Sequence, residues 1–111
     1  MNHKEYNGWT NYETWVVNLW MDNSAGVQDG WIEQAAEILQ SEFTPAYPSQ
    51  TREDWAKYQL SEQIKAEHEE NNPCCQFANC YSDLMNAALS EVNWYEIAEH
   101  FIDKAQQRQA A

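Results

Sequence analysis

Carboxylates are the side chains of this sequence that could carry chemistry in number. Two groups recur at helical spacing and a third is clustered, so each would present its charges together on a helix. A solvated helix face pairs such carboxylates with Lys or Arg one turn later, but none occurs between Lys4 and Arg52 or between Lys65 and Lys104. The pattern favours acidic surfaces that bind a basic partner, with ordinary solvated faces as the alternative. The candidate residues are Asp29, Glu33 and Glu37; Glu67, Glu69 and Glu70; and Glu96, Glu99 and Asp103.

Histidine and cysteine supply the other reactive side chains. Structural zinc sites usually separate the two cysteines of a pair by two or more residues, whereas two of the cysteines here are adjacent, and small apolar filling is the default role of free cysteine. No Gly-rich phosphate loop, nucleophile elbow or HExxH motif is present. The sequence therefore predicts a protein without enzymatic activity, cofactor or bound metal. The weak metal candidates are His68, Cys74, Cys75 and Cys80.

The net charge of -12 on 111 residues exceeds the magnitude of about 2–8 that keeps a small domain soluble. Like charges at this density repel and destabilise the compact state, so binding to something basic offers an explanation. Direct nucleic-acid binding needs a basic footprint, and anionic lipid would repel the chain, so neither partner is expected. The sequence shows no secretory signal and no apolar run long enough to span a membrane. With an odd number of cysteines, the prediction is a cytoplasmic protein.

The elements that must position these residues are helices, because helical spacing recurs throughout and no strand-like alternation persists. Aromatic residues make up 14% of the chain, which argues against disorder. We predict an all-α fold, a compact bundle of about five short helices. It forms a single domain over residues 1–111, with an ordered core over 6–105 and a frayed tail over 106–111. The first predicted helix runs from a Thr10–Glu13 capping box to Met21, the second from Val27 to Glu42, and the third from a Thr51 cap to His68. The fourth runs from Asn79 to Ser90. The fifth begins after an Asn93–Glu96 cap with a Val92–Ile97 hydrophobic staple.

Aromatic rings crowd the first predicted helix. Its apolar positions are expected to face the core, but a short helix cannot turn every ring inward. Trp15 and Trp20 are separated by about 140° around the axis, and Trp9 precedes the cap. We therefore expect one ring, with Trp9 and Trp20 as candidates, to anchor a partner or to seal a homodimer. The apolar positions are Tyr12, Trp15, Val16, Leu19 and Trp20.

Several stretches of the chain carry a resemblance to a known family. They are Asn7–Trp15 (NGWTNYETW), Leu19–Asn23 (LWMDN), Lys65–Glu70 (KAEHEE) and Ala87–His100 (AALSEVNWYEIAEH). Together they resemble a family of small, acidic, largely uncharacterised proteins carried by bacteriophages and mobile elements. The resemblance implies no reaction, but it implies a context, since small acidic phage proteins often block host defences. The segment Cys74–Cys80 departs from the family pattern.

Two functions of different classes follow. The first is an inhibitor that binds a basic, nucleic-acid-binding host defence subunit, of anti-CRISPR or anti-restriction type, either by short-range contact or by nucleic-acid mimicry. DNA carries one charge per about 1.7 Å, against one per ~6 Å for a carboxylate at every fourth helical residue. Mimicry would therefore need three acidic helix edges side by side or a dimer. The second function is a structural or regulatory module that self-associates through the first helix, with acidity serving solubility alone.

Overall fold

A computed structural model of the chain describes residues 6–73 and 79–110. These residues form five α-helices and no β-strand. The predicted all-α bundle is therefore confirmed. Among the described residues, no helix is both long enough and apolar enough to cross a membrane. The division into an ordered core and a frayed tail stays a prediction, although the last helix continues to Ala110. The helices are α1 Tyr12–Asn23, α2 Ala25–Gln40, α3 Arg52–Glu70, α4 Cys80–Ser90 and α5 Trp94–Ala110.

The core forms where α2, α3 and α5 pack together, and α5 is its central helix. Apolar residues spaced three and four apart on α5 are almost fully buried, as amphipathic periodicity requires. Each of them removes apolar surface from water, which is the dominant stabilising term in folding. The buried apolar residues of these helices are Ile32, Ala35 and Ile38 of α2; Trp55, Ala56, Leu60 and Ile64 of α3; and Ile97, Ala98, Phe101, Ile102 and Ala105 of α5.

Side-chain caps link the beginning of α1 to the beginning of α5. The fully buried Thr14 hydroxyl donates to Asn11 Oδ1 at 2.7 Å and accepts the backbone N–H of Asn93 at 2.8 Å. The Asn11 amide in turn donates to the Glu91 carbonyl at 2.7 Å. The stretches Asn7–Trp15 and Ala87–His100, which carry the family resemblance, are therefore in contact. Some of their polar residues form the hydrogen bonds that join the starts of α1 and α5.

The cap of α1 differs from the prediction. Asn11, and not Thr10, is its N-cap, because Asn11 Oδ1 accepts the backbone N–H of Thr14 at 2.9 Å. The predicted Asn93–Glu96 cap of α5 is confirmed for the Asn93 side chain, whose Oδ1 accepts the backbone N–H of Glu96 at 3.1 Å. The backbone N–H groups at the two helix starts thus find the side-chain acceptors that a helix N-terminus needs.

The orientation of α1 about its own axis is opposite to the prediction. Its buried residues are Thr14, Asn18 and Met21, while the predicted apolar stripe faces outward. The reason is the hydrogen bonding of Thr14 to the start of α5, which fixes the rotation of the helix. Met21 then reaches the core, and Asn18 donates to Asp22 at 2.9 Å. The outward stripe consists of Tyr12, Trp15, Val16, Leu19 and Trp20.

A tight turn precedes α1 and separates two of its aromatic neighbours. Tyr6 and Trp9 exchange backbone hydrogen bonds of 2.9 and 2.7 Å, and Asn7 and Gly8 between them have φ values of 48° and 88°. Asn-Gly is the preferred pair for a turn with two positive φ angles. The turn places the Tyr6 ring against Trp15, with centroids 5.1 Å apart, and leaves Trp9 to pack against the core.

Helix α4 lies at the edge of the bundle. Its only buried residue is Ser82, which forms the reciprocal capping box with Asn79. Of the apolar residues Tyr81, Leu84, Met85, Ala88 and Leu89 of this helix, Tyr81 and Leu84 are exposed. The others, Met85, Ala88 and Leu89, are half-buried.

Candidate interaction surface

A groove of about 630 Å³ lies between α2 and the second half of α3. The two helices run antiparallel, since Gln34 of α2 donates to Gln63 of α3 at 2.9 Å and Arg52, at the start of α3, reaches the Leu39 carbonyl near the end of α2. The residues lining the groove are Gly26, Val27, Gly30, Trp31 and Gln34 of α2, and Gln63, Ala66, Glu67 and Glu70 of α3.

Glycines open the α2 wall of this groove. Gly26 and Gly30 are four residues apart and therefore lie on one face of the helix. A Cβ built at either position meets no heavy atom within 4 Å, so the space beside them is open. Half-buried Trp31 lines both this groove and an adjoining cavity of about 380 Å³ between α2 and α4. The groove thus combines an open wall with an accessible aromatic surface.

Carboxylates of α3 line the groove. They are Glu67 and Glu70, whereas Glu33 and Glu37 lie on the outer face of α2, three residues after Gly30 and Gln34. All four side chains are exposed, and none forms an ion pair within the described part of the chain. Among the described residues, no Lys or Arg lines the groove. The predicted acidic group of α3 therefore reaches the groove in part, and that of α2 lies outside its lining.

Two members of those groups are directed elsewhere. Asp29 lies 2.6 Å from Arg108 at the end of α5, so its charge is paired within the fold. Glu69 lines a different groove, together with Lys65 and residues of α4. Of the α2 and α3 groups, Glu67 and Glu70 therefore line the groove, while Glu33 and Glu37 are exposed on the outer face of α2.

The predicted acidic group on α5 is separate from this groove. Glu96 is 7% exposed and its Oε1 accepts the backbone N–H of Thr10 at 3.0 Å. Its carboxylate therefore stabilises the fold and is not presented on an open surface. Glu99 lies 3.2 Å from Lys57 of α3, while Asp103 is exposed. All three line a small cavity beside Trp9. The acidic residues of α2, α3 and α5 consequently do not share one face.

Several cations of the chain serve the fold. Burial lowers the pKa of Lys57, but the hydrogen bond to Glu99 and the charges of Glu99, Tyr95 and Glu53 outweigh it, so the pKa is raised above its usual 10.5. Arg52 donates to the carbonyls of Leu39 and Ser41 at 3.1 and 2.7 Å. Neither of these two cations is among the described residues that line the groove between α2 and α3.

The two aromatic candidates have different surroundings. Trp9 is half-buried, packs against the core and lies edge-on to the His100 ring, with centroids 5.5 Å apart. Trp20 is 70% exposed on the outward face of α1. Of the two, Trp20 has the exposure that an anchor residue needs.

The weak metal candidates are not brought together among the described residues. His68 Nδ1 lies 2.8 Å from the Ile64 carbonyl, and its ring packs against Trp94. Cys80 is exposed at the first position of α4, and Cys74 and Cys75 lie outside the described residues. Within residues 6–73 and 79–110, no three His, Cys, Asp or Glu side chains are arranged to hold a metal ion.

The model of DUF7249, a family of unknown function, matches residues 2–109 of the chain. The chain belongs to this family. Comparisons with curated proteins and with solved structures found no match. Because the family carries no assigned activity, function has to be argued from the surfaces of this member.

Sequence reasoning did not identify the groove, although one signal pointed to it. Gly30 stands inside the predicted helix Val27–Glu42, and a glycine inside a helix costs about 1 kcal/mol relative to alanine. The helical spacing of Trp31 with Ala35 and Ile38 predicts a core position for Trp31. Its position between two grooves depends on how the helices meet, which spacing alone does not reveal.

Proposed function

We propose that this chain is a small acidic protein of phage or mobile-element origin that acts in the host cytoplasm by protein–protein contact. It binds a basic, nucleic-acid-handling component of a host defence system, of restriction or CRISPR type, and blocks its nucleic-acid site. The observation that carries this proposal is the groove between α2 and α3, where exposed Glu67 and Glu70 line the α3 wall and no cation among the described residues lines the groove.

The groove fits a basic protein segment by its chemistry. Long Lys and Arg side chains bury an apolar stem while their charged ends stay near polar groups, and Arg packs well against aromatic faces. Here Trp31 and Ala66 offer the apolar contact, and Glu67 and Glu70 offer the charges. Opposite potentials across such an interface increase the association rate and fix the register of binding.

Short-range contact is the better supported form of this proposal. Mimicry of DNA by one chain would require the acidic edges of three helices on one face, but α5 uses Glu96 and Glu99 for contacts within the fold. Carboxylates of α3 line the groove, and Glu33 and Glu37 of α2 lie on the outer face of that helix. That arrangement favours recognition of a basic protein surface over imitation of a duplex.

The first test is a comparison of two double variants with equal charge change. Glu67→Gln with Glu70→Gln neutralises the α3 wall of the groove, and Glu42→Gln with Glu91→Gln neutralises exposed carboxylates outside it. Immobilised wild-type chain and each variant are incubated with host lysate at low and high salt, and bound proteins are identified by mass spectrometry. We expect a basic nuclease, restriction or CRISPR subunit to bind wild type at low salt and to be released at high salt.

The groove variant should bind this subunit at least about tenfold more weakly, the loss expected from two charge contacts of about 1 kcal/mol each. The control variant should bind like wild type. Purified subunit and chain should then show inhibition of nucleic-acid binding or cleavage. Equal binding by the two variants would contradict the groove assignment, and capture of no basic nucleic-acid-handling protein would contradict the proposed function.

A further inference from the structure

The outward face of α1 is an apolar surface on a strongly acidic molecule. Five apolar side chains gather there, although a helix packed on a globular core normally turns such residues inward. Trp20 is 70% and Tyr12 51% exposed. The other three, Trp15, Val16 and Leu19, are half-buried. Contiguous exposed apolar patches on soluble proteins mark interaction sites.

The rings on this face are held in place by each other. Tyr6 packs edge-on to Tyr12 with centroids 5.2 Å apart, and Tyr12 and Trp15 lie 5.8 Å apart. Rings that are already ordered lose little conformational freedom when a partner binds. The face is therefore preorganised for contact, with Trp20 beside it as an exposed anchor.

The distribution of carboxylates on α1 indicates which kind of partner suits this face. The carboxylates of α1 are Glu13 and Asp22, and Asp22 is held inside by His100 Nε2 at 3.1 Å and by the Asn18 amide at 2.9 Å. Glu13 lies about 20° around the helix from Trp20 and two turns away along the axis, at the edge of the stripe. Among the described residues, a basic partner would find no carboxylate within the stripe, and a second acidic chain would meet no like charge there.

We infer that the outward face of α1 is a homodimer interface, at which two copies of this chain pair through Tyr12, Trp15, Leu19 and Trp20. Homodimer interfaces are more apolar than transient ones, and a two-fold contact requires a patch that complements itself. On a chain with net charge -12, a neutral patch is where two copies meet with the least repulsion.

The size of the face limits the strength of the pairing. A helix of 12 residues is about 18 Å long, so two crossed copies of α1 bury less than the roughly 800 Å² per partner of a standard stable interface. The dimer is therefore weak and concentration-dependent. Its main opposing force is the repulsion between two acidic chains, which salt screens.

Salt dependence separates this inference from the proposed binding of a basic partner. Dimerisation tightens as salt rises, because repulsion is relieved while apolar contact is kept. Binding of a basic partner in the groove between α2 and α3 weakens under the same change. The inference does not rest on the proposed function, and either can fail while the other holds.

The test is sedimentation equilibrium of the full chain over a range of protein concentrations, at low and at high sodium chloride. Trp20→Ala is compared with Tyr81→Ala, since Tyr81 is 71% exposed but lies on α4. Both positions are open to solvent, so neither variant should unfold, and circular dichroism checks this. A third variant, Trp20→Glu, places like charges close together across the proposed two-fold contact.

We expect the wild-type dimer constant Kd to fall as salt rises. Trp20→Ala should raise Kd at least about tenfold, as truncation of an interface tryptophan commonly does, and Tyr81→Ala should leave it unchanged. Trp20→Glu should weaken the dimer more at low than at high salt. A chain that stays monomeric at all concentrations and salts, a dimer that weakens with salt, or a Kd that Trp20→Ala leaves unchanged would each overturn the inference.

Discussion

At the residue scale, Thr14 shows how one short polar side chain can determine the orientation of a helix. Its hydroxyl is both donor and acceptor, and it links the cap of α1 to the backbone at the start of α5. Loss of one partner from a buried hydrogen bond leaves the other unsatisfied, at a cost of about 1–3 kcal/mol. Thr14 therefore has more influence on α1 than the larger apolar residues around it.

Replacement of Thr14 tests this role directly. Thr14→Val keeps the shape of the side chain but leaves the Asn93 N–H without its acceptor, so it should lower the free energy of unfolding by about 1–3 kcal/mol. Thr14→Ser keeps the hydroxyl and loses a methyl group, so it should cost about 1 kcal/mol. Urea denaturation measures both. A Thr14→Val protein at least as stable as Thr14→Ser would show that the hydrogen bonds do not hold α1 in place.

At the element scale, the sequence predicted the existence of each helix better than its orientation. Caps at Thr51 and Asn93 are local signals and are found where predicted. The predicted orientation of α1 about its axis was wrong, because that orientation depends on long-range contacts. One of them joins Thr14 to Asn93, two residues that are 79 positions apart in the chain.

The acidic groups show the same limit. Periodicity placed their carboxylates on helix faces, but it carries no information on how separate helices are turned toward one another. The pairing of Asp29 with Arg108 and the burial of Glu96 therefore could not be read from spacing.

The glycines of α2 provide a prediction at the element scale. Gly30→Ala adds a Cβ that meets nothing within 4 Å, and alanine is favoured over glycine inside a helix by about 0.5–1 kcal/mol. The variant should therefore unfold with a free energy about 0.5–1 kcal/mol higher than wild type. Ala66→Gly, on the opposite wall of the groove, should lower it by a similar amount, as measured by thermal or urea denaturation.

If Gly30→Ala were instead destabilising, the groove would be narrower than its geometry indicates. A stabilised variant would imply that the open wall beside Gly30 is kept at the expense of helix stability. Lower helix stability in exchange for open space is expected where an interface needs close approach of a partner, because natural proteins commonly lose stability at functional sites. The glycine result therefore bears on whether the groove is used.

At the scale of the whole molecule, the acidic charge is unevenly distributed between two kinds of surface. In the part of the chain that the structure describes, the carboxylates of the groove between α2 and α3 have no ion-pair partner. The outward face of α1 has apolar rings, and the carboxylates of α1 lie at its edge or on its inner side. One surface suits an oppositely charged partner and the other suits a second copy. A molecule with both could present two grooves from a single dimer, which would increase the apparent affinity for a target that carries two basic sites.

The cost of this charge to the fold leads to the last prediction. In the described part of the chain, two ion pairs of Lys or Arg join side chains, Lys57–Glu99 and Arg108–Asp29, against a net charge of -12 with histidine counted as neutral. Repulsion should therefore exceed attraction, and added sodium chloride should raise the free energy of unfolding, by on the order of 1 kcal/mol. Urea is the appropriate denaturant because it is uncharged, and low protein concentration keeps dimerisation from contributing.

The Glu42→Gln, Glu91→Gln control variant, which removes two negative charges, should show a smaller increase with salt than the wild-type chain. A free energy of unfolding that does not change with salt would mean that the ion pairs balance the repulsion. The acidity would then carry no cost to stability, and the argument that it is kept for binding would lose its physical basis. A rise with salt in wild type and a smaller rise in the variant would show that the fold tolerates a destabilising charge, which selection for a basic partner explains.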